Sequence, residues 1–201
     1  MKLALIALAA TAALAACVAR PPPPAALRQC QAELDRRGVA YAVAPMAASQ
    51  SACTVDDPIK VSTAEIAWNQ PAIVACGFAL ALDDFTRETV EPLAKRYFGE
   101  RITLLRHYGA YSCRTTRTGH DSLHAKGEAI DIAAFVLADG RVVSVERDWR
   151  SGGVRGRFLH ALAREACGRF SVVLTPDSDR DHFNHIHLDD GRYKLCGARG
   201  S

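Results

Sequence analysis

Residues 128–149 read EAIDIAAFVLADGRVVSVERDW and carry the strongest fold signal in the chain. Two β-rich runs flank the Ala-Asp-Gly turn at residues 138–140, a sequence typical of a β-hairpin. One acid, Asp131, interrupts the apolar run of the first strand. Because side chains alternate between the two faces of a strand, Asp131 should point away from Ile130 and Ile132 and into a cleft.

The histidines gather at two places that a fold could bring to this strand. Five of the seven lie in or beside residues 122–131 (SLHAKGEAID) and 182–189 (HFNHIHLD). His185 and His187 are two positions apart, so they would share one face of a short strand. His124 lies in the loop that enters the strand of the aspartate. Two histidines and one aspartate leave an open position on a tetrahedral ion, as catalytic zinc requires.

The remaining segments predict an α+β fold, because helices come first and strands mixed with one helix follow. Helical periodicity covers residues 24–39, 70–99 and 156–170, and strands are expected within residues 101–113, 171–176 and 184–190. In the longest helical segment, Pro71 should stand at the start and Gly99 should end the helix. Pro92 should kink the helix or begin a second one.

The N-terminus indicates export. Residues 1–16 have the charged start and apolar run of a signal peptide, and the run is too short for a convincing membrane span. It ends in Leu-Ala-Ala-Cys, which resembles the lipobox of bacterial lipoproteins, so Cys17 should carry lipid and anchor the protein to a membrane from the periplasmic side. The alternative is an ordinary signal peptide, with Cys17 incidental. Residues 17–27 would then be a proline-rich tether, and residues 28–201 one domain.

The cysteine content supports an oxidising compartment. Without Cys17, six of the seven cysteines remain, an even number that suggests three disulfides. The sequence allows fifteen pairings. We favour Cys30–Cys53, Cys76–Cys113 and Cys167–Cys196, because each bond joins successive elements that must pack together. The absence of a Cys-x-x-Cys pair argues against a cysteine zinc site, and a net charge of +3 is too small to argue for nucleic acid as a partner.

Two motifs resemble known families. Residues 122–131 match the S-x-H-x-x-G-x-A-x-D signature of the zinc D-Ala-D-Ala metallopeptidases, and His185-Ile186-His187 resembles the H-x-H of the murein endopeptidases. Residues 28–196 as a whole resemble bacterial extensin-like C-terminal domain proteins, through YSCR, residues 122–149, CGRFSVVLTPD and HFNHIHLDDGRYKLC. The metallopeptidase resemblance implies a small central antiparallel sheet flanked by helices, here stapled by disulfides.

The resemblance also implies roles for single residues. His124, Asp131 and His187 would be the Zn²⁺ ligands, His185 the acid/base or water-orienting residue, and Arg114 the group that steadies the oxyanion. One departure stands against activity: the carboxypeptidases have a glutamate as general base where this chain has Asn184. An amide cannot accept a proton at neutral pH, so the base would have to be His185 or another acid.

Two functions therefore stay open at this point. The first is a zinc-dependent hydrolase of peptide bonds in peptidoglycan. The second is a non-catalytic cell-wall-binding module that keeps the metallopeptidase fold. Among the other candidates, His182 has an odd spacing from His187 and should face the opposite side of the strand. The residues expected to have surface or packing roles only are His120, His107, His160, Trp68 and Trp149.

The Cys17→Ser variant tests the lipid anchor. Without the thiol that accepts lipid, the protein should move from the membrane fraction to the soluble periplasmic fraction. Cell fractionation followed by immunoblotting measures this redistribution. Membrane retention equal to that of the wild type would show that Cys17 is not the anchor.

Overall fold

The computed structural model of the protein describes residues 25–44, 53–115, 119 and 122–198. The strands are β1 (Ala40–Val43), β2 (Pro58–Thr63), β3 (Ala67–Ala75), β4 (Ile102–His107), β5 (Ala129–Leu137), β6 (Val142–Ser144), β7 (Val172–Leu174), β8 (Ile186–Asp189) and β9 (Leu195–Cys196). The α-helices are α1 (Ala25–Arg37), α2 (Cys76–Phe85), α3 (Glu91–Phe98), α4 (Val145–Asp148) and α5 (Val154–Ala166). The predicted signal peptide, Cys17, most of the predicted tether and His120 lie outside the described residues.

One mixed sheet organises the fold. Within the described residues it has nine strands in the order β1-β2-β3-β4-β5-β8-β7-β9, with β6 paired to β5. The prediction of a small sheet was therefore wrong. The sheet is also not wholly antiparallel, because β3 pairs with β4 and β7 with β9 in parallel. The α+β class and the hairpin of β5 and β6 are confirmed.

Strand β5 stands at the centre and contains a bulge. It pairs with β4 along one edge, and with β8 and then β6 along the other. Ile132 pairs with His107 and Ala134 with Arg106, so Ala133 is an extra residue that shifts the alternation of faces. The shift lets the later side chains of β5 join the apolar face that Ile130 and Ile132 occupy, while Asp131 points to the other face.

The helices cover the apolar face. Phe158 of α5 packs edge-on against Phe135 of β5, with ring centroids 5.6 Å apart, and at a tilt against Phe98 of α3, at 5.0 Å. Phe170, which follows α5, packs in the same manner against Phe85 of α2 at 5.2 Å. The opposite face of β5 is therefore left free to line a cleft.

The helix predicted for residues 70–99 begins later than expected. Residues 67–75 form β3, and the helix starts at Cys76. Ala72 and Val74 are buried at the period of a strand, and a short apolar run of this kind fits either structure. Only the first two residues of β3 pair with β4, so at Pro71 the strand has a neighbour along one edge alone. Pro71 is tolerated because its missing N–H can lie on the unpaired edge.

The end of that helical segment follows the sequence closely. A π-helical turn at Thr86–Val90 separates α2 from α3, and Pro92 lies in the first turn of α3. Gly99 ends α3 in the left-handed conformation, with φ 73°. The predicted second helix and its end are thus confirmed.

Three disulfides link the described cysteines, but only one has the predicted partners. Cys167–Cys196 is confirmed, and it ties the end of α5 to β9. The other two bonds are Cys30–Cys76 and Cys53–Cys113, so the two predicted pairings that shared these cysteines were wrong. The cause is the meander of β1, β2 and β3, which returns the chain to α1. Elements that follow one another in the sequence are therefore not the ones that lie close enough to be linked.

The Cys30→Ser and Cys76→Ser double variant tests this connectivity. It should lower the free energy of unfolding by about 4 kcal/mol, because a cross-link across a separation of 46 residues restricts the unfolded chain. Urea unfolding followed by circular dichroism measures the loss. The matched control is the Cys53→Ser and Cys113→Ser pair, across a separation of 60 residues, which should lose a similar amount. Non-reducing peptide mapping that recovers Cys30 joined to Cys53 would contradict the connectivity.

Candidate metal centre

Asp131 and His187 face each other across two antiparallel strands. They are direct register partners in β5 and β8, and Oδ1 of Asp131 lies 2.9 Å from Nδ1 of His187. On the other face of the same two strands, Ile130 pairs with Leu188 and Ile132 with Ile186. These four side chains are at most 1% exposed. The predicted alternation of the two strands is confirmed.

His124 reaches this pair from a 3-10 helix at Leu123–Lys126. The hydroxyl of Ser122 accepts a hydrogen bond from the backbone N–H of His124 and so caps the helix. Gly127 ends it with φ 66°, and a Cβ there would lie 2.8 Å from Val55 and 2.9 Å from the backbone nitrogen of Ala75. Only glycine satisfies both the conformation and the space.

The three side chains form one buried cluster. His124 Nε2, Asp131 Oδ1 and His187 Nδ1 lie within 4.8 Å of one another, close enough for a single metal ion to bind all three. His124 Nε2 is 3.3 Å from Asp131 Oδ1 and 3.2 Å from His187 Nδ1. The predicted convergence of these residues is confirmed, and this cluster could hold a metal ion.

Both histidines are fixed by groups outside the cluster. Nδ1 of His124 donates to the carbonyl oxygen of Ala110 at 2.5 Å, so the other ring nitrogen, Nε2, is the one that faces the cluster. Nε2 of His187 donates to Oδ2 of Asp189 at 3.0 Å, and Oδ1 of Asp189 accepts from the backbone N–H of Gly191. Such outer partners are typical of metal-binding histidines, because they set the tautomer and the ring orientation.

Asp189 is the site residue that the sequence reasoning missed. The signal was present, because Asp189 lies two positions after His187 on the same strand and must share its face. A carboxylate on that face can take the second nitrogen of the histidine.

Hydrogen bonds within the cluster shift the pKa values of Asp131 and His187 in opposite directions. Burial alone would raise the pKa of Asp131, but hydrogen bonds from His124 and His187 lower it well below its usual range. Burial would lower the pKa of His187, and hydrogen bonds to Asp131 and Asp189 outweigh it and raise the pKa to about 9. The resulting proton on Nδ1 of His187 points at Asp131 and His124, where a bound cation would replace it.

An open cleft of about 520 Å³ surrounds the cluster. It is lined by Arg114, Thr115, Ser122, Leu123, His124, Asp131, Leu174, Asp181, His182, His185, His187 and Asp189. Nη2 of Arg114 lies 3.8 Å from Oδ2 of Asp131, and this side chain is 55% exposed. Nε2 of His185 lies 3.4 Å from Oδ1 of Asp131. The structure thus brings both predicted catalytic residues to the cluster.

His182 corrects one prediction. It was expected on the opposite face of a strand, but it lies in a 3-10 helix at Arg180–His182 and lines the same cleft. Its ring centroid is 5.0 Å from that of His185 and 5.9 Å from that of His187. Nδ1 of His182 donates to Oδ1 of Asp179 at 2.7 Å, and the same carboxylate caps the helix. Strand periodicity did not apply because the strand begins only at Ile186.

The other described histidines pack inside the fold, as predicted. Nε2 of His107 donates to the carbonyl oxygen of Gln70, and burial lowers the pKa of His107. The ring of Trp68 packs edge-on against His107 at 5.3 Å. His160 packs at a tilt against the buried Trp149, with centroids 4.2 Å apart. None of these side chains lines the cleft.

Comparison with known proteins gives one result. The model of the family described as "Extensin-like protein C-terminus" matches residues 28–197. No curated protein and no solved structure matches the chain. In the described part of the chain, no helix combines the length and the apolar character that a membrane span needs.

Asp189→Asn tests whether the outer carboxylate supports metal binding. The change weakens the hydrogen bond that holds His187, so affinity for Zn²⁺ should fall by about 10- to 100-fold. Competition with a chromogenic chelator measures the affinity, and Asp131→Ala supplies the reference for complete loss. The matched control is Asp190→Asn, which removes the neighbouring charge without touching His187. Equal affinities of the Asp189→Asn and Asp190→Asn variants would contradict the assignment.

Proposed function

We propose that this chain, which belongs to the extensin-like protein C-terminus family, is a zinc-dependent hydrolase of peptide bonds in peptidoglycan. The family description names no reaction, so the proposal comes from the site. The observation that carries it is the convergence of His124, Asp131 and His187, with Arg114 and His185 beside them in an open cleft. The order and spacing of these residues resemble those of the zinc D-Ala-D-Ala metallopeptidases.

The donor set fits zinc better than the other common cations. Zinc binds histidine nitrogen and carboxylate oxygen, whereas calcium and magnesium prefer sites made of oxygen alone. Three protein ligands leave a further position open, which distinguishes catalytic zinc from structural zinc. The described cysteines are all in disulfides, so none is left to close the site.

The chain supplies two further groups for hydrolysis. When bound, Zn²⁺ lowers the pKa of a water ligand and polarises the carbonyl of the substrate. Burial lowers the pKa of His185 to about 4, although the charge of Asp131 opposes the shift, so the ring is neutral and can accept a proton from the attacking water. The half-exposed guanidinium of Arg114 offers N–H donors to the oxyanion that develops on the substrate.

The proposed location places the enzyme beside its substrate. Three disulfides among the described cysteines are compatible with an exported protein. The signal peptide and the lipid on Cys17 are proposals from the sequence, since those residues lie outside the described ranges. A lipid anchor and a short tether would hold the domain at a membrane in the periplasm, within reach of the cell wall.

One observation favours the second candidate, a cell-wall-binding module without catalysis. Asn184 occupies the position at which the carboxypeptidases have their catalytic glutamate. If His185 does not take over that role, the cleft would bind wall peptides and leave them intact. The two functions differ in whether the zinc-loaded protein produces cleaved peptides.

His185→Ala separates catalysis from metal binding. The variant should keep zinc but hydrolyse isolated sacculi and D-Ala-ending peptides at least about 10²-fold more slowly, the contribution of a general base. Product formation is followed by liquid chromatography with mass spectrometry. Arg114→Ala should also lower the rate, by about 10²- to 10³-fold if the guanidinium meets the oxyanion.

The matched control is Arg155→Ala on α5. Arg155 is partly exposed and lies 3.8 Å from an aspartate, Asp148, but it is not in the cleft. This variant should hydrolyse as fast as the wild type. If the zinc-loaded wild type leaves both substrates intact, the hydrolase proposal is wrong and the binding module replaces it.

A further inference from the structure

Asn184 contacts the ring nitrogen of His185 that is not the one beside Asp131. The side-chain oxygen Oδ1 of Asn184 lies 2.8 Å from Nδ1 of His185. An amide oxygen can only accept a hydrogen bond, so Nδ1 of His185 must carry the proton. In the neutral ring the other nitrogen, Nε2, is then without a proton, and it lies 3.4 Å from Oδ1 of Asp131.

We infer that Asn184 is a positioning residue that holds His185 as the Nδ1–H tautomer, with its bare Nε2 directed at the metal centre. The hydrogen bond and the tautomer are properties of the chain itself. Their value for hydrolysis rests on the proposed function, in which His185 accepts the proton of the attacking water.

The surroundings of His185 leave its ring little other freedom. Its side chain is only 13% exposed. Tyr108 packs edge-on against the ring, with centroids 6.0 Å apart and planes at 85°. The backbone N–H of Tyr108 donates to the carbonyl oxygen of Asp131, so the backbone of Tyr108 is fixed to β5. Tyr108 packs against the ring, and Asn184 supplies the acceptor that faces Nδ1 at hydrogen-bond distance.

This arrangement suggests what Asn184 does at the position where the carboxypeptidases have a glutamate. An amide at position 184 cannot take up a proton, but its carbonyl can orient a neighbouring imidazole that does. The proton acceptor would then be the next residue along the chain. The pattern repeats in the cleft, where Ala110, Asp189 and Asp179 each hold one nitrogen of a histidine.

The opposite arrangement makes a different prediction. If the amide nitrogen of Asn184 faced Nδ1, the ring would have to accept a hydrogen bond there and carry its proton on Nε2. An Nε2–H group would point at Asp131 and could not accept a proton from water. The two arrangements are therefore distinguished by the tautomer of a single histidine.

The test is a long-range ¹H–¹⁵N correlation spectrum of the zinc-loaded protein with ¹⁵N-labelled histidine. It is recorded at about pH 8, above the ordinary histidine pKa of about 6.5, where neutral tautomers are resolved. We expect His185 as the Nδ1–H form in the wild type and in Asn184→Asp, which keeps an acceptor. In Asn184→Ala the Nε2–H form should gain population. His107, whose Nε2 donates to Gln70, is an internal reference that should stay in the Nε2–H form throughout.

An Nε2–H tautomer of His185 in the wild type would overturn the inference, and this result needs no variant to fold. An Nδ1–H tautomer that persists unchanged in Asn184→Ala would overturn it as well, because the orientation would then come from elsewhere.

Hydrolysis supplies a second, separate readout. In Asn184→Ala, kcat should fall by about 10- to 100-fold, part of the 10²- to 10⁴-fold that a general base contributes. KM and zinc content should stay within about twofold of the wild type, because binding is not altered. Asn184→Asp should restore kcat. If the wild type hydrolyses nothing, the proposed function fails, while the spectra still decide the role of Asn184.

Discussion

The site depends on the register of β5 against β8, which sets Asp131 opposite His187. The same register buries Ile130, Ile132, Ile186 and Leu188 on the other face. Burying a side chain of this size contributes roughly 1.5–3 kcal/mol, so the four together rival the whole stability of a domain. A slip by one residue would exchange the faces and expose all four. Core packing thus fixes the separation of two candidate ligands.

Local features of the chain bring the remaining groups of the site next to this pair of strands. Gly127 lets the turn after His124 fit against β3, and the Cys53–Cys113 disulfide holds the segment that carries Arg114. Each histidine that lines the cleft gives one ring nitrogen to an outer acceptor, and in His124, His185 and His187 the other nitrogen faces Asp131. A ring that is fixed in this way needs little reorganisation when a cation or a substrate arrives, which is what a preorganised site requires.

Much of the fold and of the candidate site could be predicted from the sequence, because the patterns that indicate them involve neighbouring residues. Strand alternation around Asp131 and His187 and the breakers Pro92 and Gly99 depend on neighbouring residues, and the structure confirms all of them. The wrong predictions concern features that depend on contacts between distant segments of the chain. The apolar run before Cys76 fits a helix or a strand by its pattern alone, and pairing with β2 made it a strand. His182 was misplaced because strand periodicity was extended beyond the strand.

The sequence by itself determined the α+β class, the candidate ligands His124, Asp131 and His187, and the use of six cysteines in disulfides. These follow from residue type and short-range spacing, which the chain carries before it folds. Only the tertiary structure decided the size of the sheet, the partners of Cys30 and Cys53, and the hydrogen bonds of Asp189 and Asn184. The physical reason is that strand order and the distances between side chains result from packing segments that lie far apart in the chain.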